Sequence, residues 1–143
     1  MKSGIIKDVE ITPLKIISHE KGNIYHAIKK NEASFYGFAE AYFSSVNYQS
    51  IKAWKRHTEM TMNLIVPIGK IKLVIIDDRH NKLVFQEIEL SLNNYNRITI
   101  PPMLWTGFKG LSTNSAIILN IANLLHDANE IDRLEINDFD YKW

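Results

Sequence analysis

Lys70-Ile71-Lys72-Leu73-Val74-Ile75-Ile76, the charged run Asp77 to Lys82, and Leu83 to Leu90 decide the fold. In the first stretch Lys70 and Lys72 alternate with Ile71, Leu73 and Ile75. Period two over a β-branched run marks a strand with one buried face, its lysines outside or lining a groove. Leu83 to Leu90 alternates again, so the charged segment between is a hairpin loop. The same pattern spreads both ways. Upstream lie Glu10 to Ile17 (its start demoted by Pro13), Asn23 to Lys29, Phe38 to Val46, Ile51 to His57 and Met60 to Val66. Downstream come Arg97 to Ile100, closed by Pro101-Pro102, and a last apolar strand, Ser115 to Asn123. Only Asn129 to Asn137 has helical support, from Glu130, Arg133 and Leu134. Many short strands with turns between them predict an all-β sandwich or barrel.

Composition narrows the chemistry. The 143 residues fit a single domain, 1–143, and 45% hydrophobic with 23% charged fits an ordinary globular chain. No cysteine is present, which removes disulfides, thiolate nucleophiles and cysteine-based metal sites. Lys+Arg of 17 against Asp+Glu of 16 gives +1, which suggests neither a nucleic-acid groove nor a polybasic membrane patch. The start of the chain carries no long apolar targeting segment, and no apolar run approaches the ~20 residues of a membrane span. The expected compartment is the cytoplasm.

Two segments say more. One is Gly37-Phe38-Ala39-Glu40-Ala41-Tyr42-Phe43-Ser44, continuing through Ile51-Lys52-Ala53-Trp54-Lys55-Arg56-His57 to Gly69-Lys70-Ile71-Lys72-Leu73-Val74. The other is Ile100-Pro101-Pro102-Met103-Leu104-Trp105-Thr106-Gly107-Phe108-Lys109-Gly110, followed by Leu119-Asn120-Ile121 and a terminal Asp140-Tyr141-Lys142-Trp143. In order and spacing, from Pro13 to Trp143, the chain resembles the dTDP-4-dehydrorhamnose 3,5-epimerase family, especially its short sugar-epimerase-like branch. It is also similar to the nucleotide-sugar 3,4-ketoisomerases, through the Ile-Pro-Pro-Met segment and Asp127 to Arg133. The resemblance implies a cupin double-stranded β-helix (a jelly roll) ending in a short C-terminal helical segment. It implies a homodimer acting on a nucleotide-linked 4-keto-6-deoxy sugar in surface polysaccharide sugar biosynthesis. No cofactor is implied, and neither nucleic acid nor membrane is an expected partner. A catalytically degenerate cupin that binds a sugar nucleotide or a partner protein stays open beside the two enzymes.

Such chemistry removes a proton next to a ketone and places charge on oxygen. It needs a base, donors around the enolate and, for epimerisation, an acid on the opposite face. Strict alternation puts Ile51, Ala53, Lys55 and His57 on one face of their strand and Lys52, Trp54 and Arg56 on the other. The resemblance aligns the epimerase histidine with Lys55, so His57 is the expected base and Lys55 an assistant. A desolvated lysine could itself be the base. Epimerases carry a tyrosine on a late strand near Asn120 to Leu124, where none occurs, so Tyr42 is the candidate acid. Asp138 is the expected orienting carboxylate, from the same resemblance. Glu40, Lys21, Lys52, Arg56, Lys72 and Trp105 are candidate substrate-binding residues. The cupin metal positions read Lys55, His57, Thr61 or Met62, and Thr106, so no metal is expected.

Overall fold

The computed structural model describes all 143 residues. In chain order the strands are β1 (Lys2–Ser3), β2 (Glu10–Pro13), β3 (Ile16–Ile17), β4 (Ile24–Tyr25), β5 (Glu40–Val46) and β6 (Ile51–His57). Then come β7 (Met62–Ile68), β8 (Ile71–Asp77), β9 (Val84–Leu90), β10 (Asn96–Ile100), β11 (Trp105–Gly110), β12 (Ala116–Ala122) and β13 (Ile131–Arg133). One sheet has the order β1-β9-β8-β11-β6-β13 and the facing sheet β2-β10-β7-β12-β5, with β3-β4 a separate ribbon. The two sheets enclose an apolar core of alternating residues, Ile71, Leu73 and Ile75 from β8 against Leu64, Val66, Ile98 and Ile100. This is the expected all-β jelly roll.

The expected helical segment takes another form. Single 3₁₀ turns occur at Ala128–Glu130 and Ile136–Asp138, and between them β13 pairs with β6. The free edge of β6 offers backbone partners that a three-residue stretch can use at once, and those outweigh weak helical preference.

The other face of the six-stranded sheet is also covered. Val74 and Ile76 of β8, Trp54 and Trp105 form a second cluster with Phe139 of the C-terminal tail. Trp143 lies 5.1 Å from the Trp54 ring and Phe139 5.4 Å, edge-on. β8 is therefore buried on both faces, where period two had indicated one.

Gly107 makes room for this layer. A Cβ there would come within 2.8 Å of both Ala53 Cβ and the Trp143 ring. Gly107→Ala should therefore cost about 1–3 kcal/mol by overpacking, measured as a lower urea midpoint with an unchanged slope.

The pairing of β6 with β11 slips by one residue. Lys55 faces Thr106 and Ala53 faces Gly107, leaving Trp54 as an extra residue. The slip overturns strict alternation. Ala53 packs with the outer aromatic cluster, and Lys52, opposite Phe108, turns inward to join Lys55 and His57. A bulge shifts every side chain beyond it by one place in the pleat.

On the outer face of the five-stranded sheet, Arg97 is fully buried. Its guanidinium donates to Asn63 Oδ1 at 3.1 Å, Ala27 O at 2.7 Å, Ser34 Oγ at 2.6 Å and the Glu32 carboxylate. These bonds pin the segment 27–34 across that sheet.

Candidate active site

A cavity of about 500 Å³ opens between the sheets. Its walls follow from register. On the five-stranded side Asn120 of β12 lies between Tyr42 of β5 and Leu64 of β7, with Ser44 and Ile118 in the next row. On the six-stranded side Lys55 lies between Thr106 of β11 and Arg133 of β13, with Lys52 and Phe108 in the next row. Lys55 and Tyr42 thus stand on facing walls of one space.

Lys55 is part-buried and takes no part in any ion pair. Burial lowers its pKa from the ordinary lysine value, repulsion from Arg133 lowers it further, and the Glu130 carboxylate opposes both. An amine so placed spends more of its time neutral and can accept a proton. Its backbone carbonyl accepts a hydrogen bond from Thr106 Oγ1 at 3.1 Å, which ties β6 to β11 at this point. Lys52 Nζ donates to the Ser45 carbonyl at 2.6 Å across the cavity mouth. Tyr42 Oη accepts from Asn120 Nδ2 at 3.1 Å.

His57 points inward as expected but does not reach the cavity. It is 2% exposed, and its Nδ1–H donates to Glu130 Oε1 at 2.5 Å. The other carboxylate oxygen accepts from the backbone N–H groups of Thr58, Glu59 and Met60 at 3.1, 3.2 and 3.4 Å. Burial lowers the His57 pKa, more than the Glu130 bond raises it. Burial pushes the Glu130 carboxyl up, but the His57 bond and the backbone donors outweigh it and hold it low. The pair is therefore a neutral imidazole on an ionised carboxylate. Its Nε2 is buried without a partner.

Asp138 does not orient the base. It accepts from the Glu135 backbone N–H at 2.7 Å and closes a 3₁₀ turn, and Glu130 holds the histidine instead. Sequence reading had used Glu130 only as support for a helix, where a glutamate would face solvent.

Of the substrate-binding candidates only Lys52 lines the cavity. Arg56 lies on the outer face, bound to Asp132 at 2.7 Å and Asp78 at 3.4 Å, and stacked 4.5 Å over Trp105. Trp105 is buried there too, its indole N–H on Asp78 at 2.9 Å. Lys72 also faces outward, 5.2 Å from the Tyr141 ring and 5.5 Å from Trp143, because its neighbours in the pleat, Ile71 and Leu73, take the core. Lys21 sits in an exposed turn, where its backbone N–H donates to His19 Nδ1 at 3.0 Å. Glu40 begins β5 outside the cavity wall.

Arg133 and Asn120 line the cavity but were not among the site residues expected from the sequence, although both lie in segments that carry the family resemblance. Arg133 was hidden inside an apparent helix. Asn120 carried a readable signal, a polar side chain between Leu119 and Ile121 in an apolar strand. The structure contains no group of three or more His, Cys, Asp or Glu side chains that could hold a metal ion.

Comparison with known proteins places this site in context. A family model described as FdtA: WxcM-like, C-terminal, matches residues 7–140. The probable low-salt glycan biosynthesis epimerase Agl13 of Haloferax volcanii is 26% identical over 136 residues, covering 92% of this chain and 87% of that protein. A dTDP sugar isomerase from Desulfovibrio desulfuricans superposes with a TM-score of 0.87 at 30% identity, covering 93% of this chain and 87% of the other. A dTDP-6-deoxy-D-glucose-3,5-epimerase from Legionella pneumophila, solved with dTDP-4-keto-L-rhamnose, superposes at 0.81 with 18% identity, covering 96% and 78%. At that identity the last likeness shows that the two chains share the jelly-roll fold.

Proposed function

Because the chain belongs to the WxcM-like C-terminal (FdtA) family, we propose that it moves protons beside the ketone of a nucleotide-linked 4-keto-6-deoxy sugar. The reaction is a cofactor-independent epimerisation serving surface polysaccharide synthesis. One observation carries this reading: Lys55 and Tyr42 stand on opposite walls of a cavity of about 500 Å³. Inverting a carbon requires a base on one face of the sugar and an acid on the other, and two facing proton carriers meet that requirement.

The roles follow from the geometry. Lys55, its pKa lowered by burial and by Arg133, takes the proton. The bond to hydrogen breaks, its electron pair forms the enolate, and charge develops on oxygen. Arg133 and Lys52 supply positive charge along the same wall, for that oxygen and for a diphosphate. Tyr42 returns a proton from the other wall. His57 and Glu130 act from behind, anchoring β13 to the end of β6.

The test is incubation with dTDP-4-keto-6-deoxyglucose in deuterated water. We expect deuterium at C3 and C5. Label at C4, with the ketone moved to C3, would instead establish 3,4-ketoisomerisation, which one carrier on a single face can perform. Binding with no exchange, unchanged in Lys55→Met, would leave a degenerate cupin that only holds its ligand.

A homodimer belongs to the same reading. On the outer face of the five-stranded sheet, Phe43 is 68% exposed and pairs in register with Leu119, beside Ile117. Contiguous apolar surface of this kind marks an association face. Phe43→Glu should shift the protein to monomer in sedimentation velocity. A wild-type protein that is already monomeric at high concentration would remove this part of the reading. No helix of the fold is long and apolar enough to cross a membrane.

A further inference from the structure

Asn120 is 2% exposed and forms part of the cavity wall. The two ends of its amide differ. Nδ2 donates to Tyr42 Oη at 3.1 Å. Oδ1 is buried and has no hydrogen-bond partner in the protein. A buried carbonyl without a donor costs free energy that a leucine of similar size would not. The rest of this wall shows the cheaper choice, with Leu64, Met62 and Ile118 around it. The asparagine recovers its cost when a donor arrives from the cavity.

The Nδ2 bond has its own effect on Tyr42. The phenol oxygen accepts, so its O–H is left to donate elsewhere. Asn120 and Tyr42 together offer an acceptor and a donor side by side. A hexose carbon bearing a hydroxyl, at or next to the carbon that takes the proton, fits that pair.

We propose that Asn120 is a positioning and specificity-determining residue: its Nδ2 orients the Tyr42 hydroxyl, and its Oδ1 accepts a hydrogen bond from a sugar hydroxyl at or beside the reacting carbon. This rests on the sugar-nucleotide reading above. Its consequence is selectivity for the hydroxylated sugar, since a site built to bond a hydroxyl rejects the analogue that lacks it.

The experiment measures Kd by titration calorimetry in a Lys55→Met background, which keeps the keto sugar unreacted. The probes are dTDP-4-keto-6-deoxyglucose and its 2-deoxy and 3-deoxy counterparts. One counterpart should bind about 10–100-fold more weakly than the parent sugar. Adding Asn120→Leu should erase that difference, and Asn120→Asp, which keeps an acceptor, should preserve it. With Lys55 restored, Asn120→Asp should lower kcat about tenfold with little change in KM, because Tyr42 loses its donor. Equal binding of all three sugars, or discrimination that survives Asn120→Leu, would overturn the proposal. The two readings fail separately. Turnover that persists in Lys55→Met sinks Lys55 as base while the sugar comparison still decides Asn120, and a protein that binds none of the sugars sinks both.

Discussion

Lys55→Met should lower the rate of deuterium incorporation from solvent by about 10²–10⁴-fold, the range a positioned base contributes. The fold should be untouched, because Lys55 takes part in no ion pair and its neighbours on β6 are held by backbone pairing. Methionine keeps the length of the side chain and removes only the amine. The pH profile gives an independent check. Burial and Arg133 lower the Lys55 pKa, so kcat/KM should climb with pH and level off below the ~10.4 of a free lysine. Lys55→His is the informative partner. Imidazole is a competent base with an unperturbed pKa of about 6.5, so the variant should recover much of the activity and its acidic limb should move to lower pH. A Lys55→Met protein that exchanges at the wild-type rate would return the base to His57, through a rearrangement that opens its buried Nε2 to the cavity.

Legibility in the sequence followed the pleat and stopped where the pleat breaks. The runs Ile51 to His57, Lys70 to Ile76 and Leu83 to Leu90 lie within one residue of β6, β8 and β9. Their period-two pattern is a local property of a chain with one face in a core. Tyr42 and Lys55 were singled out through the family resemblance, and both line the cavity. β11 was missed as a strand because Gly107 and Gly110 look like turn residues. Each glycine is set by what presses on it: Trp143 and Ala53 in the first case, the Asn47 carbonyl in the second. Those neighbours lie 36 to 63 residues away along the chain, beyond any local window. The one-residue slip at Trp54 was equally hidden, and it misassigned Lys52 to the outer face. Arg56 and Lys72 had the composition of a phosphate site and the position of a structural layer. Their partners, Asp132, Asp78, Tyr141 and Trp143, come from the loop after β8 and from the end of the chain. A count of nearby positive charge cannot show which of those charges folding has already neutralised.

Glu130→Ala should be the most damaging single truncation for stability, at about 3–5 kcal/mol, the loss expected when one member of a buried polar pair is removed. The carboxylate serves four donors: His57 Nδ1 and the backbone N–H groups of Thr58, Glu59 and Met60. Alanine would leave His57 Nδ1 and the Glu59 and Met60 N–H groups without that acceptor, while the Thr58 N–H keeps the residue-130 backbone carbonyl at 2.8 Å, and desolvated donors left unpaired account for a loss of that size. In a chain of this length the melting temperature should drop by about 10 °C or more.

The pH dependence of wild-type stability separates this explanation from a simple cavity. Burial holds the His57 pKa below its unfolded value, so the unfolded chain binds the proton more readily. Stability is then full above about pH 6.5 and declines as pH falls toward the folded pKa. Glu130 adds the same sign further down: its folded pKa is lowered, so its contribution is present above the ordinary glutamate value and lost as pH falls through the folded one. Urea melts from pH 8 to pH 4 should therefore show a progressive loss in wild type. His57→Gln should flatten the upper part of that slope and Glu130→Gln the lower part. If both variants keep the wild-type slope, the titrating groups lie elsewhere. The same bonds bear on the chemistry. Glu130 ends the 3₁₀ turn from which β13 begins, and β13 places Arg133 beside Lys55. In Glu130→Ala, at a temperature where the protein is still folded, Arg133 should hold its place less well. On the Lys55 pKa the two consequences oppose one another: loss of the Glu130 charge lowers it and displacement of Arg133 raises it. The rate gives the clearer readout: kcat/KM should fall at neutral pH because Arg133 no longer holds its place beside the enolate oxygen, although every group lining the cavity is still present.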